Sequence, residues 1–373
     1  MHIGIIGAGQ LGRMMALSGI PLGLRFTMYD RSAGAPGAAV APLVTGEFDD
    51  RRRLARFARG VDAVTFDWEN VPGESLRAIA RIAPVWPPPR ALAVAQDRVL
   101  EKRMFARLGI PVAPWASVDD RAGLLRAIAK LGTPGILKTR RLGYDGKGQA
   151  KIDNAAEADA GWRRLQGQPL VYERFVNFSR EVSLVAARDR AGRIACYPLA
   201  ENRHHGGILA ETRAPFASAP LQRIAERHQR RLMQAFGYVG VLCIEYFVER
   251  GRLVANEMAP RVHNSGHWTI EGAETSQFEN HVRAIAGLPL GSTRPCAHAV
   301  MFNLIGRLPP AQPLLALPGA HWHDYGKAPR PGRKLGHLTL IARSRRERDR
   351  IAAKIATRIS ALGPSRGRPY ASL

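Results

Sequence analysis

Hydrophobic positions in the N-terminal part of the chain occur as short apolar runs separated by amphipathic segments. The runs predict β-strands at residues 3–7, 25–30, 43–45 and 63–67, with a helix from about residue 10. Strands that alternate with helices are typical of a parallel sheet covered by helices on both faces. We therefore expect a Rossmann-like N-terminal domain over residues 1–96.

The pattern changes after a proline-rich segment at residues 84–89, and a helix is predicted to begin at Asp97-Arg98. The strands predicted next lie at residues 135–139, 150–152 and 170–176. Beyond residue 181 the strands read as mostly antiparallel, with a helix at 221–236 and a hairpin formed by 241–248 and 253–258. The predicted domains after the first are 97–176, 177–298 and a small C-terminal domain at 299–373, so the fold class is α/β combined with α+β.

A glycine motif follows the first predicted strand. Gly7, Gly9 and Gly12 have the spacing G-x-G-x-x-G, and Asp30 stands at the end of the next strand. This arrangement is typical of dinucleotide-binding domains, so the first domain alone favours a nicotinamide-dependent oxidoreductase. The same loop and helix N-terminus can instead hold another phosphate.

A second glycine-rich segment follows the strand that carries Lys138. Gly143, Gly146 and Gly148 give an open backbone whose N–H groups can close over phosphate oxygens. Lys138 offers a positive charge to an α- or β-phosphate. The glycine spacing differs from that of a Walker A or protein-kinase loop, and a polar hairpin loop is the alternative interpretation.

The predicted hairpin carries two carboxylates within apolar strands, Glu245 and Glu257. With the turn centred near Arg250, residue 245 is expected opposite 255 and residue 257 opposite 243, which makes the carboxylates diagonal neighbours on one face. An unpaired carboxylate is costly to bury, and two such groups suggest a shared Mg²⁺. A surface charge pair is the alternative.

A polar loop follows the second hairpin strand directly and contains Arg261, His263, Asn264 and His267. Four such side chains beside a metal and a phosphate would stabilise charge on a transferred phosphoryl group. A structural role for the histidines is the alternative interpretation.

The net charge of +24, from 55 basic and 31 acidic residues, would suit a nucleic-acid-binding protein. The basic residues are spread along the chain, however, and no aromatic stacking motif accompanies them, so nucleic acid is not an expected partner. The three isolated cysteines, the lack of a signal peptide and the lack of a long apolar stretch indicate a cytoplasmic protein that does not span a membrane.

These motifs together resemble the ATP-grasp superfamily and, within it, the carboxylases of purine biosynthesis. The likeness covers nearly the whole chain. It is carried by Gly7-Ala-Gly-Gln-Leu-Gly12, Asp97-Arg98, Lys138, Gly143-Tyr-Asp-Gly-Lys-Gly-Gln149, Asn177-Phe-Ser-Arg-Glu-Val-Ser183, Asn202-Arg-His204, Gly237-Tyr-Val-Gly-Val241, Asn256-Glu-Met-Ala-Pro-Arg-Val-His-Asn-Ser-Gly-His-Trp268 and Gly332-Arg-Lys-Leu-Gly-His337.

The resemblance implies an ATP-grasp fold and ATP-dependent carboxylation of aminoimidazole ribonucleotide by bicarbonate through carboxyphosphate. It implies ATP and Mg²⁺ as cofactors, with Mn²⁺ as an alternative ion, small-molecule substrates and a homodimer. A related ATP-grasp ligase, such as a formate-dependent glycinamide ribonucleotide transformylase, is the nearest alternative.

The resemblance also assigns residues. The nucleotide would contact Arg98, Lys138, Gly143, Tyr144, Asp145, Gly146, Lys147, Gly148, Gln149, Glu173, Arg174, Phe175, Val176, Glu181, His204, Asn256 and Glu257. Glu245 and Glu257 would hold Mg²⁺. Bicarbonate or carboxyphosphate would contact Arg261, His263 and Asn264, and Asp145 would orient the amine or accept its proton. The ribonucleotide would contact Gln10, Leu11, Glu69, Tyr144, Asp145, Lys327, Arg333 and Lys334.

One position departs from the general superfamily pattern. ATP-grasp enzymes commonly carry Glu-x-Asn on the second metal strand, whereas this chain has Ala259 two residues after Glu257. The purine carboxylases share that feature, so it supports the narrower resemblance while leaving one metal ligand unfilled by this strand.

Overall fold

The computed structural model describes residues 1–143 and 146–361 and contains three sheets. The first sheet is parallel, with the strand order β3-β2-β1-β4. Its elements are β1 (His2–Ile6), α1 (Gln10–Gly19), β2 (Arg25–Asp30), β3 (Leu43–Thr45), α2 (Arg51–Arg59), β4 (Ala63–Phe66) and α3 (Gly73–Ile79). The parallel sheet predicted from the alternating pattern is confirmed.

The second sheet is antiparallel and has the order β5-β8-β6-β7. Leu124, Leu137 and Leu165 lie in the core between this sheet and two of its helices. The elements from the first sheet to the end of this one are α4 (Pro89–Ala95), α5 (Arg98–Arg107), β5 (Trp115–Val118), α6 (Arg121–Leu131), β6 (Gly135–Thr139), β7 (Gln149–Ile152), α7 (Ala158–Leu165) and β8 (Leu170–Arg174).

The third sheet has nine strands in the order β14-β13-β9-β11-β12-β15-β17-β16, with β10 paired to β9. Its strands are β9 (Arg180–Arg188), β10 (Ile194–Cys196), β11 (Ala200–His205), β12 (Ile208–Ala214), β13 (Gly240–Glu249), β14 (Arg252–Ala259), β15 (His298–Ile305), β16 (Ala320–Asp324) and β17 (Lys334–Ala342). The remaining helices are α8 (Ala219–Phe236), α9 (Thr269–Gly272), α10 (Gln277–Ala286), α11 (Gln312–Leu315) and α12 (Arg345–Ala361).

The segment expected to form a small C-terminal domain is hydrogen-bonded into this third sheet. β15 pairs with β12, so β15, β17 and β16 extend the sheet that holds the predicted hairpin. Residues of the hairpin and residues of the C-terminal segment therefore belong to one sheet and can face the same site.

Both faces of the third sheet are covered. On β13, Leu242 and Ile244 belong to the core cluster that includes α8, whereas Val241 and Cys243 belong to the cluster that includes α1 and α10. A strand covered on both sides reads as a continuous apolar run, because neither face meets solvent. Glu245 interrupts that run on the face of Cys243.

A buried histidine joins the first sheet to the third. His281 on α10 places Nε2 3.0 Å from the Thr65 hydroxyl on β4, and its Nδ1 accepts the N–H of Val241 at 3.0 Å. Burial lowers the pKa of His281 to about 3, so the ring stays neutral and one nitrogen accepts while the other donates.

None of the helices in the described residues is long and apolar enough to cross a membrane.

This histidine predicts acid sensitivity of the junction. The unfolded chain protonates His281 below a pKa of about 6.5, whereas the folded chain does not do so until about pH 3. Unfolding therefore takes up a proton between these values, so the contribution of His281 to stability is present above pH 6.5 and decreases as pH falls. When the pH is lowered from 7 to 5, the free energy of unfolding should fall in both proteins. We expect it to fall by about 2 kcal/mol less in His281→Gln than in the parent chain.

Urea unfolding of both proteins at the two pH values measures this difference. Equal losses in the two proteins would contradict the prediction, whatever the absolute stability of the variant.

Candidate active site

The β13–β14 hairpin brings two carboxylates into direct opposition. Glu245 pairs with Glu257, whereas Tyr246 pairs with Ala255, because a bulge at Asn256 inserts one extra residue into β14. The predicted register, with 245 opposite 255 and 257 opposite 243, is wrong for this reason. The carboxylates still share a face, as predicted, and lie closer than diagonal neighbours because residues directly opposite each other are adjacent.

The two carboxylates have different electrostatic surroundings. Burial and the charge of Glu257 raise the pKa of Glu245. Burial also acts against the charged form of Glu257, but Arg98 and Lys138 outweigh it and the pKa of Glu257 is lowered. Arg98 Nη1 lies 3.1 Å from Glu257 Oε2, so Glu257 has a cationic partner that the sequence did not reveal.

A divalent cation fits this carboxylate pair. Two opposed carboxylates are the protein ligands that Mg²⁺ commonly uses beside nucleotide phosphates, and the Asn256 carboxamide oxygen next to them is buried without a hydrogen-bond partner in the described part of the chain. Over residues 1–143 and 146–361 there is no cluster of three or more His, Cys, Asp or Glu side chains that could hold a metal. The remaining ligands would have to come from substrate or water.

One face of α5 supplies three charged groups to this region. Arg98 contacts Glu257, Glu101 accepts the N–H of Met258 at 2.6 Å, and Lys102 lies 3.1 Å from Glu173. These residues have the i, i+3, i+4 spacing of a single helix face. Glu101 and Lys102 were missed from the sequence, although this spacing after Arg98 was a signal that could have identified them.

Glu173 on β8 lies between two lysines. Lys102 and Lys138 are each 3.1 Å from its carboxylate. Burial acts against ionisation, but Lys102 and Lys138 outweigh it and lower the pKa of Glu173 to about 2. Its carboxylate is therefore ionised and forms ion pairs with both lysines.

The residues after Glu173 form the edge that the resemblance assigned to the adenine. The N–H groups of Arg174 and Phe175 donate to the carbonyls of Pro114 and Pro134 at 2.9 and 3.0 Å. Two of the backbone donors in this segment are thus used within the protein, and Val176 follows them as a buried residue.

The ribose candidate Glu181 is paired with His204. His204 Nδ1 lies 2.9 Å from Glu181 Oε2, and Glu181 stands opposite Phe247 on β13. Burial disfavours protonation of His204, but the hydrogen bond to Glu181 and the charge of Glu245 raise its pKa. Both predicted nucleotide contacts therefore lie near the carboxylate pair.

The glycine-rich loop leaves β6 beside Lys138 and returns at Gln149, which pairs with Lys138. Gly146 and Gly148 have φ angles of +75° and +69°, which favour glycine. A Cβ on Gly146 would lie 3.1 Å from the Gly206 carbonyl oxygen, so the loop reaches the β11–β12 turn. A Cβ on Gly143 would lie 3.2 Å from the Lys147 carbonyl oxygen. Tyr144 and Asp145 lie outside the described residues.

The polar loop after β14 contacts both neighbouring parts of the molecule. Arg261 Nη2 lies 2.6 Å from Glu69 Oε1 in the N-terminal domain. His263 Nε2 lies 3.2 Å from Glu245 Oε1, and burial with the charge of Arg261 holds the pKa of His263 well below its usual range. The Asn264 carboxamide exchanges two hydrogen bonds, of 3.0 and 2.7 Å, with buried Asn303.

The loop of Gly7, Gly9 and Gly12 encloses carboxylates of the protein itself. Gly12 N–H donates to Asp67 at 3.1 Å and Ala8 N–H donates to Asp30 at 2.8 Å. Asp67 thus uses a backbone donor of the loop that a phosphate could otherwise use, and burial raises the pKa of Asp67 to about 6. Asp67 was missed because nothing in its local sequence shows that it returns to this loop.

The outer side of this loop meets the C-terminal segment. The Gln10 side chain accepts a hydrogen bond from Lys327 Nζ, and Leu11 lies in the first turn of α1 with its side chain in the core. Burial, followed by the charge of Arg333, lowers the pKa of Lys327 to about 8. Lys334 begins β17 and contributes positive charge at Glu245.

The described candidates therefore form one connected region. Arg98, Glu245, Glu257 and His263 meet at the hairpin, Arg261 links it to Glu69, and Lys334 approaches it from the C-terminal segment. His267 is buried against Phe278 and His337, and its expected place among the charge-stabilising groups stays a prediction.

Family models of known proteins match three consecutive parts of the chain. Residues 1–96 match the family model of the ribonucleotide synthetase preATP-grasp domain, residues 103–278 match the ATP-grasp domain, and residues 299–350 match the phosphoribosylaminoimidazole carboxylase C-terminal domain.

Individual relatives match over nearly their whole length. The N5-carboxyaminoimidazole ribonucleotide synthase of Pseudomonas aeruginosa is 48% identical over 340 residues, which cover 91% of this chain and 94% of that protein. The solved N5-carboxyaminoimidazole ribonucleotide synthetase of Thermus thermophilus is 50% identical with a TM-score of 0.92, covering 97% of this chain and 99% of that one. The Aspergillus clavatus enzyme in complex with ADP and 5-aminoimidazole ribonucleotide is 28% identical, with a TM-score of 0.91 and coverage of 97% and 99%.

The glycine loop generates a prediction about stability. Gly7 has a φ of +91°, and a Cβ there would lie 1.7 Å from Asp67 Oδ1. Gly23 has a φ of +73° and nothing within 4 Å of its Cβ position. We expect Gly23→Ala to lower the free energy of unfolding by about 1 kcal/mol from backbone strain alone, and Gly7→Ala to lower it by about 3 kcal/mol or more.

Urea unfolding measures both values. The double variant Gly7→Ala/Asp67→Ala should recover part of the loss, because the clashing carboxylate is gone. Equal costs for the two single variants would show that Asp67 does not lie against the loop.

Proposed function

The chain belongs to the N5-carboxyaminoimidazole ribonucleotide synthase family of ATP-grasp enzymes, and we propose that its site performs the carboxylation for which those relatives are named. In this reaction ATP and bicarbonate convert 5-aminoimidazole ribonucleotide to N5-carboxyaminoimidazole ribonucleotide, with release of ADP and phosphate, in purine biosynthesis. The dehydrogenase interpretation of the first glycine motif is excluded by this membership.

One observation carries the assignment to this site. The pair of Glu245 and Glu257 lies where three parts of the chain converge: Arg98 on α5, His263 on the polar loop, and through Arg261 the N-terminal Glu69. A reaction that joins a nucleotide phosphate, a small anion and a third substrate requires such a junction, because each group must reach the same reacting centre.

The nucleotide would lie between the second and third sheets. Lys138 and Arg98 supply positive charge for its phosphates, and Glu181 can accept hydrogen bonds from the ribose hydroxyls while His204 orients it. The backbone at Val176 would pair with the adenine. The Gly143–Gln149 loop would cover the phosphates, since its glycines allow the backbone to open and close.

The carboxylate pair would hold Mg²⁺, or Mn²⁺, together with the nucleotide phosphates. When bound, the cation would draw negative charge away from the transferred phosphoryl group. Asn256 would add an oxygen ligand beside Glu257.

Bicarbonate would bind against Arg261, His263 and Asn264. A bicarbonate oxygen attacks the γ-phosphorus of ATP, the bond to the β-phosphate oxygen breaks, and carboxyphosphate and ADP form. Arg261 neutralises the anion, while the neutral ring of His263 and the Asn264 carboxamide, fixed by Asn303, orient it.

The ribonucleotide would lie against the N-terminal domain. Its 5′-phosphate would meet the first turn of α1 at Gln10 and Leu11, with Lys327, Arg333 and Lys334 supplying positive charge. Glu69 would face the base from beside Arg261. We propose the same substrate role for Tyr144 and Asp145 from the resemblance alone.

The second step transfers the carboxyl group. The exocyclic amine bonds to the carboxyl carbon of carboxyphosphate, phosphate leaves with the electron pair of the C–O bond, and the amine loses a proton. Closure of the glycine loop would exclude water, which would otherwise hydrolyse the mixed anhydride. We further propose that the enzyme is a cytoplasmic homodimer, a state that sedimentation analysis can test.

The reaction predicts a strict requirement for three substrates. Phosphate release from ATP should need a divalent cation, bicarbonate and 5-aminoimidazole ribonucleotide together, and should fall to background when any one is omitted. Phosphate release coupled to formate and glycinamide ribonucleotide would move the assignment to the transformylase, and NAD binding without ATP use would contradict it entirely.

The hairpin predicts a separate effect of charge. Glu257→Gln should reduce turnover by at least about 100-fold, because one of the two carboxylates proposed to hold the cation is lost. Glu249→Gln, at the far end of β13 in the same hairpin, should retain activity. Circular dichroism checks that both variants fold, and normal turnover by folded Glu257→Gln would remove the metal assignment.

A further inference from the structure

A buried chain of hydrogen bonds runs through the third sheet to His263. The Thr212 hydroxyl on β12 donates to Asn202 Oδ1 at 3.0 Å, and Asn202 Nδ2 donates to the Ser183 hydroxyl at 2.9 Å. Ser183 donates to the Ser265 hydroxyl at 2.7 Å, and Ser265 lies 2.8 Å from His263 Nδ1. We call Thr212, Asn202, Ser183 and Ser265 the buried relay; all four are at most 4% exposed.

The register of the sheet places the relay beside the carboxylates. Ser183 on β9 stands directly opposite Glu245 on β13, and Asn202 on β11 stands opposite Thr212 on β12. Residues directly opposite each other share a face, so the relay and the carboxylate pair lie on the same side of the sheet. No part of the proposed reaction uses these four side chains.

The end of the relay at His263 has a defined direction. The backbone N–H of Ser265 points at His263 Nδ1 at 3.3 Å, and a backbone N–H can only donate. Nδ1 must therefore carry its lone pair, and the Ser265 hydroxyl also donates to it. A neutral imidazole has one N–H, which must then be on Nε2, the nitrogen 3.2 Å from Glu245 Oε1.

We propose that the buried relay positions His263 by holding its ring as the Nε2–H tautomer, with this N–H on the side of the ring that lies nearest the carboxylate pair. The relay residues are positioning residues, because they act through His263. The chain of donors from Thr212 to Ser265 matches this tautomer at every step.

This assignment limits what His263 can do in the reaction. Nε2–H is a hydrogen-bond donor, so it can hold an anionic oxygen of bicarbonate or carboxyphosphate, but it has no lone pair with which to accept a proton. The consequence rests on the proposed function, since it concerns the anion expected at this site. The tautomer itself does not depend on it.

Nitrogen NMR of the full chain, labelled with ¹⁵N in histidine and without nucleotide, tests the tautomer at neutral pH. His263→Gln identifies the resonances of His263 among those of the eleven histidines. We expect a pyrrole-type shift for Nε2 and a pyridine-type shift for Nδ1. The opposite pattern would overturn the proposal, even if the protein carboxylates its substrate normally.

Substitution of Ser183 tests the relay. Ser183→Ala removes the donor to Ser265, and we expect the His263 Nδ1 shift to move toward that of a less strongly hydrogen-bonded nitrogen. The KM for bicarbonate should rise about two- to tenfold, as expected for loss of one net hydrogen bond, while the KM for ATP stays within twofold. Ser183→Thr keeps a hydroxyl, so its His263 Nδ1 shift and its KM for bicarbonate should stay close to those of the parent chain.

Thr339→Val is the matched control. Thr339 on β17 is also a fully buried threonine of the same sheet, and its hydroxyl has no hydrogen-bond partner in the described residues. We expect it to leave the His263 resonances and the KM for bicarbonate unchanged. If Ser183→Ala behaves like this control, the relay does not position His263. If neither the parent chain nor any variant uses bicarbonate, the proposed function fails, and the NMR result still decides the tautomer.

Discussion

The opposition of Glu245 and Glu257 across two adjacent strands is the constraint on which the site depends. Two carboxylates side by side in a largely buried sheet repel each other, and the protein counters this charge from several directions. Arg98 contacts Glu257, and the positive charges of His204 and Lys334 favour the ionised form of Glu245. The region is held together because separate parts of the chain meet at these two charges.

The sequence predicted the elements better than the contacts between them. The limits of β2, β3 and β6 agree with the predicted strands because turn residues bound each apolar run. The hairpin register failed at Asn256, since a bulge adds one residue without changing the apolar pattern of either strand. The Asp67 carboxylate against the glycine loop and Lys102 against Glu173 were also missed, because both are contacts between distant segments with no periodicity to show them.

The glycine loop shows why a motif describes backbone geometry and not a ligand. The spacing of Gly7, Gly9 and Gly12 predicts a strand, a tight turn and a helix, and the structure contains all three. The oxygen atoms that meet the Ala8 and Gly12 N–H groups belong to Asp30 and Asp67. A glycine turn that accommodates phosphate oxygens can equally accommodate carboxylate oxygens, so the residues across the sheet decide what the loop can bind.

Polar side chains in buried strands point to a site even where no reacting group is obvious. Ser183, Asn202 and Thr212 could each be replaced by an apolar residue if packing alone mattered, because a buried hydroxyl or amide contributes little net stability even when it is hydrogen-bonded. All three lie on the face of Glu245 and connect to His263. Their alignment on one face is therefore better explained by the orientation of His263 than by stability of the sheet.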